Sequence, residues 1–195
     1  LDTVAFASAL EALDRGQPEP SAEDALASLE GAVSLYRGDF LAGLSVGDSA
    51  AFEEWSLLQR ERLRQALIGA LQRLVALCQE RGELERAYQW AQRWIEVEPW
   101  QEEAHRAAMR LLARSGQRSA ALAQYESCRH ALAEELGVEP VAETVRLYEE
   151  IRDGGVAPAE PAGGGEGDRP HNLPTFLTSL VGREGALSAI CERLG

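Results

Sequence analysis

The sequence predicts an all-α chain, a stack of about seven helices followed by a flexible linker and a short tail. Three observations carry that prediction. Residues 3–152 show no period-2 apolar alternation, and their few β-branched residues are scattered. Apolar residues make up 45% of the chain, enough for a packed core. "QERGELERAYQWAQRWIEVE" (79–98) and "ARSGQRSAALAQYESCRHAL" (113–132) stand 34 residues apart, with Gly116 in the place of Gly82 and Ala121 in the place of Ala87.

The elements follow in order. "TVAFASALEALDR" (3–15) reads as an amphipathic first helix, stopped by Gly16, Pro18 and Pro20. Ser21 is the expected N-cap of the second helix, with Asp24 in the capping-box position, and that helix runs to about Tyr36. "RGDFLAGLSVGDS" (37–49) is a glycine-punctuated loop. Asp48 or Ser49 starts a long helix on which Phe52, Trp55, Leu58, Leu63, Leu67, Leu71, Leu74 and Cys78 share one broad apolar face. Gly82 ends it.

Laid 34 residues apart, Leu74 pairs with Ala108, Val75 with Met109, Cys78 with Leu112 and Ala91 with Tyr125. That is the period of the tetratricopeptide helix–turn–helix unit, so the stack is expected to be a right-handed tetratricopeptide-like one. Such a unit needs a left-handed residue between its helices, hence Gly82 and Gly116. It needs a small residue where the helices touch, hence Ala87 and Ala121. Pro99 terminates the first unit, and Ala133 takes its place in the second, whose final helix is expected to run on to about Leu136. The first two helices fit a third, divergent unit with a longer loop between Gly16 and Ala25. "VAETVRLYEEI" (141–151) would cap the open apolar end. Residues 153–171 are Gly- and Pro-rich and read as linker, and 172–195 regain an ordered character.

Charge and motifs narrow the function. The net charge is −13, of which −11 falls on residues 1–153, with 27 acids and 16 arginines. Affinity for nucleic acid comes largely from neutralised phosphates, so this body is not expected to touch nucleic acid directly. All 19 basic residues are arginine, which removes Schiff-base and phosphate-loop lysines. Cys78, Cys128 and Cys191 form no disulfide framework, no run approaches a membrane span, and a cytoplasmic protein is expected. The chain opens at Leu1 already in a helical pattern and reads as cut from a longer protein.

"GLSVG" (43–47) matches the nucleophile-elbow pattern but lacks the strand that motif needs, so no enzyme is expected. "RGD" (37–39) reads as a turn. His105, Cys128 and His130 lack metal-ligand spacing, and His105 and His130 are expected to be structural or exposed. No catalytic residue, metal or cofactor is assigned to this piece. Of the four tryptophans most are expected in the core, with one at a domain interface. Arg106, Arg110 and Arg114 form an i, i+4, i+8 stripe, and three readings fit it. It is a solvated face with Glu102 pairing Arg106, or it pairs with Glu149 and Glu150 of the last helix, or it is a partner-binding groove for carboxylates.

"LYRGDFLAGL", "FEEWSLLQRERLRQAL" and the run from Glu98 to Ile151 resemble, in that order, the bacterial transcriptional activator domain of antibiotic-regulatory-protein-type regulators. The resemblance covers residues 1–152. "NLPTFLTSLVGRE" (172–184) resembles the entry into a STAND or NB-ARC-like ATPase. The resemblance implies a non-catalytic regulatory domain between a winged-helix DNA-binding domain and an ATPase, with RNA polymerase or a second protomer as further partners. ATP or another nucleotide would then belong to the downstream ATPase. The loop residues Arg37, Asp39, Phe40 and Leu41 become the candidate inter-domain contact. A generic peptide-binding adaptor of a signalling ATPase is the alternative.

Overall fold

The computed structural model describes residues 6, 8, 22–44 and 49–157. The chain divides into two units, Leu1–Ala162 and Gly163–Gly195, and every described residue lies in the first. The described residues are all-α, without a strand. Six helices follow one another: α1 (Ala22–Leu35), α2 (Ala50–Glu80), α3 (Leu84–Val97), α4 (Glu102–Arg114), α5 (Arg118–Glu135) and α6 (Ala142–Asp153). Of the expected first helix, Phe6 and Ser8 are described and both are helical. The expected cap Ser21, the loop glycine Gly16 and the tail 172–195 lie outside the described residues.

Each helix packs on the next in chain order, and α4 also touches α6. Close approach comes from small side chains. Ala87, Ala91, Ala104, Ala108 and Ala121 are fully buried. One apolar cluster joins α1 to α4 through Leu29, Leu71, Leu74 and Leu111, and a second joins α4, α5 and α6 through Met109, Leu112, Leu147 and Ile151. Tyr125 and Tyr148 stack at 4.3 Å between α5 and α6.

The 34-residue period has a geometric counterpart. After α2, Gly82 takes φ 73, its N–H bonds the Gln79 carbonyl at 3.0 Å, and Glu83 N–H bonds Cys78 at 2.8 Å. After α4, Gly116 takes φ 76, its N–H bonds Ala113 at 3.0 Å, and Gln117 N–H bonds Leu112 at 2.8 Å. This is the Schellman pattern at both turns, and it closes carbonyls that a helix end otherwise leaves open. The two hairpins stand side by side because α3 packs on α4.

Ser49 caps α2, its hydroxyl accepting from Phe52 N–H at 3.3 Å. The helix is 31 residues long, about 46 Å at 1.5 Å per residue. The broad face expected along it holds only in part. Leu67, Leu71, Leu74 and Cys78 are buried and Leu63 packs at the margin of the core. Trp55 and Leu58, by contrast, are 46% and 58% exposed. The helix runs past the core that covers its second half, so apolar spacing continues where no described element faces it. Trp94 is buried, its indole N–H without a hydrogen-bond partner among the described residues, while Trp90 and Trp100 are half-buried.

Candidate functional site: two arginine positions and a clamped loop

The loop 37–44 is built from turns. Ala42 N–H bonds Asp39 at 3.2 Å, Leu44 N–H bonds Leu41 at 3.1 Å, and Leu41 adopts φ 53. Arg60 of α2 holds it from beneath. Its Nε donates to the Phe40 carbonyl at 2.7 Å and its Nη2 to the Leu41 carbonyl at 3.0 Å. A guanidinium presents several donors in a fixed plane, so one side chain fixes two successive carbonyls. Phe40 packs edge-on against Trp55, with ring centroids 5.8 Å apart. Asp39 accepts from the Tyr36 hydroxyl at 3.1 Å, and burial together with that neighbouring carboxylate pushes the Tyr36 phenol up. Three of the four predicted contact residues, Asp39, Phe40 and Leu41, are therefore engaged internally. Arg37 is exposed and makes no hydrogen bond or ion pair among the described residues, and Leu44 is 50% exposed. Ser45 of "GLSVG" lies outside the described residues.

Arg37 also borders a groove of about 430 Å³ between α1 and α3, with Val33, Trp90 and Arg93. Arg86 ties the same two helices, bonding Glu30 at 2.6 Å and Glu83 at 2.5 Å. Sequence reasoning missed this groove, because its two walls come from segments more than fifty residues apart.

The three arginines of the stripe Arg106, Arg110 and Arg114 differ in their surroundings. Arg106 donates to Thr144 Oγ1 at 3.0 Å, on the last helix. Arg110 is exposed and Arg114 half-buried, and neither has a partner among the described residues. Glu102 does not pair with Arg106. It accepts instead from Val141 N–H, at 3.0 and 3.1 Å from its two oxygens, and from the Thr144 hydroxyl. It thereby holds the start of α6, whose N-cap residue Val141 makes no side-chain cap hydrogen bond. Arg106 thus meets the last helix at Thr144, and no ion pair among the described residues joins the stripe to Glu149 or Glu150. Arg106 lines a second groove of about 380 Å³ with Trp100, Glu102, Leu132, Leu136 and Val141.

His105 is buried. Its Nε2 lies 2.8 Å from the Pro99 carbonyl and its Nδ1 2.7 Å from Gln124 Nε2. A carbonyl can only accept, so Nε2 carries the proton and Nδ1 accepts from Gln124. The ring is a structural strut between the end of α3, α4 and α5. His130 is exposed and faces Glu134 at 3.2 Å. Cys78 and Cys128 are buried free thiols, and burial pushes Cys128 up to about 12. No helix among the described residues is long and apolar enough to cross a membrane.

A family model, the bacterial transcriptional activator domain, matches residues 1–152. The chain belongs to that family. That family is a non-catalytic domain of transcriptional activators. The chain is also 37% identical over 100 residues to "Regulatory protein AfsR" of Streptomyces griseus. That match covers 49% of this chain and 10% of the relative, so the chain spans a small part of the relative's length.

Proposed function

We propose that this domain positions a winged-helix DNA-binding domain and couples it to an ATPase module, to RNA polymerase or to a second protomer, in the cytoplasm. The helices form a right-handed tetratricopeptide-like stack, residues 153–171 act as linker, and 172–195 begin the ATPase, whose nucleotide would bind downstream. Family membership supports the transcriptional setting. The clamped loop carries the docking part of the reading. Arg60 fixes the backbone of residues 40 and 41 and Trp55 packs on the Phe40 ring, while Arg37 and Leu44 stay exposed, so residues 37–44 are held before any partner arrives. Preorganisation of this kind lowers the cost of docking. A coupling of about 1–3 kcal/mol between the two ends would change site occupancy severalfold or more.

The test joins the coding sequence directly upstream of Leu1 to a transcription assay. That sequence should encode a winged-helix pattern with a basic recognition helix. Arg37→Glu or Leu44→Asp should then lower promoter-dependent transcription without unfolding the chain. An upstream sequence with no DNA-reading pattern sinks the proposal and leaves the adaptor reading. The α1–α3 groove favours that second reading, since Trp90 between Arg37 and Arg93 suits an acidic, apolar peptide. Arg110 and Arg114, without a partner among the described residues, remain in the proposed carboxylate groove.

A further inference from the structure

The large apolar side chains exposed among the described residues fall into two groups. Leu44, Trp55, Leu57 and Leu58 belong to the loop and the start of α2. Leu136, Val138 and Val141, 55%, 48% and 46% exposed, stand together in the connection from α5 to α6. These three edge the groove of about 380 Å³ that Arg106 also lines, beside buried Leu132 and half-buried Trp100. Hydrogen bonds hold the connection in this form. Gly137 takes φ 67, Val138 N–H bonds back to the Leu132 carbonyl at 3.4 Å, and Val141 N–H is held by Glu102. The charges here are uneven. Arg106 and Glu102 meet at one hydroxyl, that of Thr144, and offset each other. Glu103 lines the groove, and Glu139 follows Val138 in the chain. Both are exposed and make no hydrogen bond or ion pair among the described residues. Arg129, whose charge Glu139 feels, is bonded to Glu126.

We propose that this groove docks a basic, apolar segment of another protein. An apolar side chain of that segment sits against Trp100, Leu136 and Val138, and lysine or arginine on either side of it faces Glu103 and Glu139. The site is independent of the docking loop at residues 37–44. Charge complementarity decides the occupant. The apolar walls accept any apolar anchor, so the rim must discriminate. An acidic segment brings like charge to two carboxylates that no ion pair neutralises, and such juxtaposition suppresses a wrong partner. At a net charge of −13 the chain as a whole also repels an acidic partner and steers a basic one inward. A second copy fits no better, because a two-fold contact presents the same patch from both sides and sets acid against acid. The volume lies at the small end of binding clefts, so a short segment fills it.

Fluorescence anisotropy on the 195-residue chain tests this with three labelled peptides. They share a leucine–phenylalanine centre, flanked on both sides by arginine, by serine or by glutamate. The arginine-flanked peptide should bind with a Kd below about 1 mM, about tenfold tighter than the serine-flanked one. The glutamate-flanked peptide should bind weakest. Replacing the apolar wall, Leu136→Ser with Val138→Ser, should weaken the arginine-flanked peptide about tenfold. Glu103→Arg with Glu139→Arg should reverse the order, so that the glutamate-flanked peptide binds best. The same charge change at Glu80 and Glu85, exposed and outside the groove, should leave the order as in the parent. The proposal is overturned if the parent binds the arginine-flanked peptide no tighter than the serine-flanked one. It is overturned equally if the order survives Glu103→Arg with Glu139→Arg, or if the Glu80 and Glu85 changes reverse it as fully. A dimer that disperses on Leu136→Ser with Val138→Ser would give the groove to a second copy and also sink it. All these variants change exposed residues, so a melting curve distinguishes lost binding from a lost fold.

Discussion

Exchanging glycine for alanine at Gly82 and at Gly69 should move stability in opposite directions. Gly82 sits at φ 73, and a Cβ built there meets nothing within 4 Å. The cost of Gly82→Ala is therefore backbone strain alone, about 1–2 kcal/mol for an L-residue in the left-handed region. Stiffening of the unfolded chain offsets about 0.4–1 kcal/mol of that. The net loss is about 1 kcal/mol. Gly116 is its counterpart at φ 76, also with open space, and should lose the same. A Cβ at either glycine meets no atom of the other turn, so the double variant should lose about 2 kcal/mol. Gly69 lies within α2, with nothing within 4 Å of an added Cβ. There alanine should add about 0.5–1 kcal/mol, because helix interiors penalise glycine. Urea unfolding followed by helical circular dichroism reads all four chains. For a domain of this size each kcal/mol also shifts Tm by about 2–4 °C. A Gly82→Ala chain as stable as its parent would refute the claim that the hairpin turn needs a left-handed residue. A destabilised Gly69→Ala chain would refute the open space described around α2.

Two further outcomes follow from burial. His105 is held below 6.5 chiefly by desolvation, with its hydrogen bonds to Pro99 and Gln124 and nearby Glu102 opposing. The unfolded chain thus takes up a proton first, and stability should be full above about pH 6.5 and decline as pH falls through the window beneath it. A shallower slope of urea stability between about pH 6.5 and 5 is expected for His105→Gln, and an unchanged slope would acquit the histidine. Cys128, pushed up to about 12, and Cys78, raised by burial too, should both resist a disulfide-exchange reagent at mildly alkaline pH. In a Cys191→Ser chain, thiol release should appear only with denaturant; prompt native labelling would contradict the packing around these two residues.

Features with a local cause were legible in the sequence. The turns at Gly82 and Gly116 need a conformation that glycine adopts freely, so their spacing marked the hairpins directly. Ser49 was readable as a cap because its acceptor and donor are three residues apart. What escaped had partners far along the chain. Glu102 looked like the i, i+4 mate of Arg106, and its true partners stand 39 and 42 residues away. Arg60 looked like one more surface arginine, yet it fixes carbonyls 20 and 19 residues upstream. The apolar run from Phe52 through Leu58 obeyed helical spacing without a core to receive it. Periodicity reports that a stripe exists, and only the neighbouring elements decide whether it is covered.

The last helix has Glu143 in its first turn but no side-chain cap of its own. Val141 offers no side-chain acceptor, and the carboxylate that receives its N–H belongs to α4. Order at this end of the molecule is thus inherited rather than local. A fragment starting after Glu102 would keep the α6 sequence while losing the carboxylate that holds its first turn.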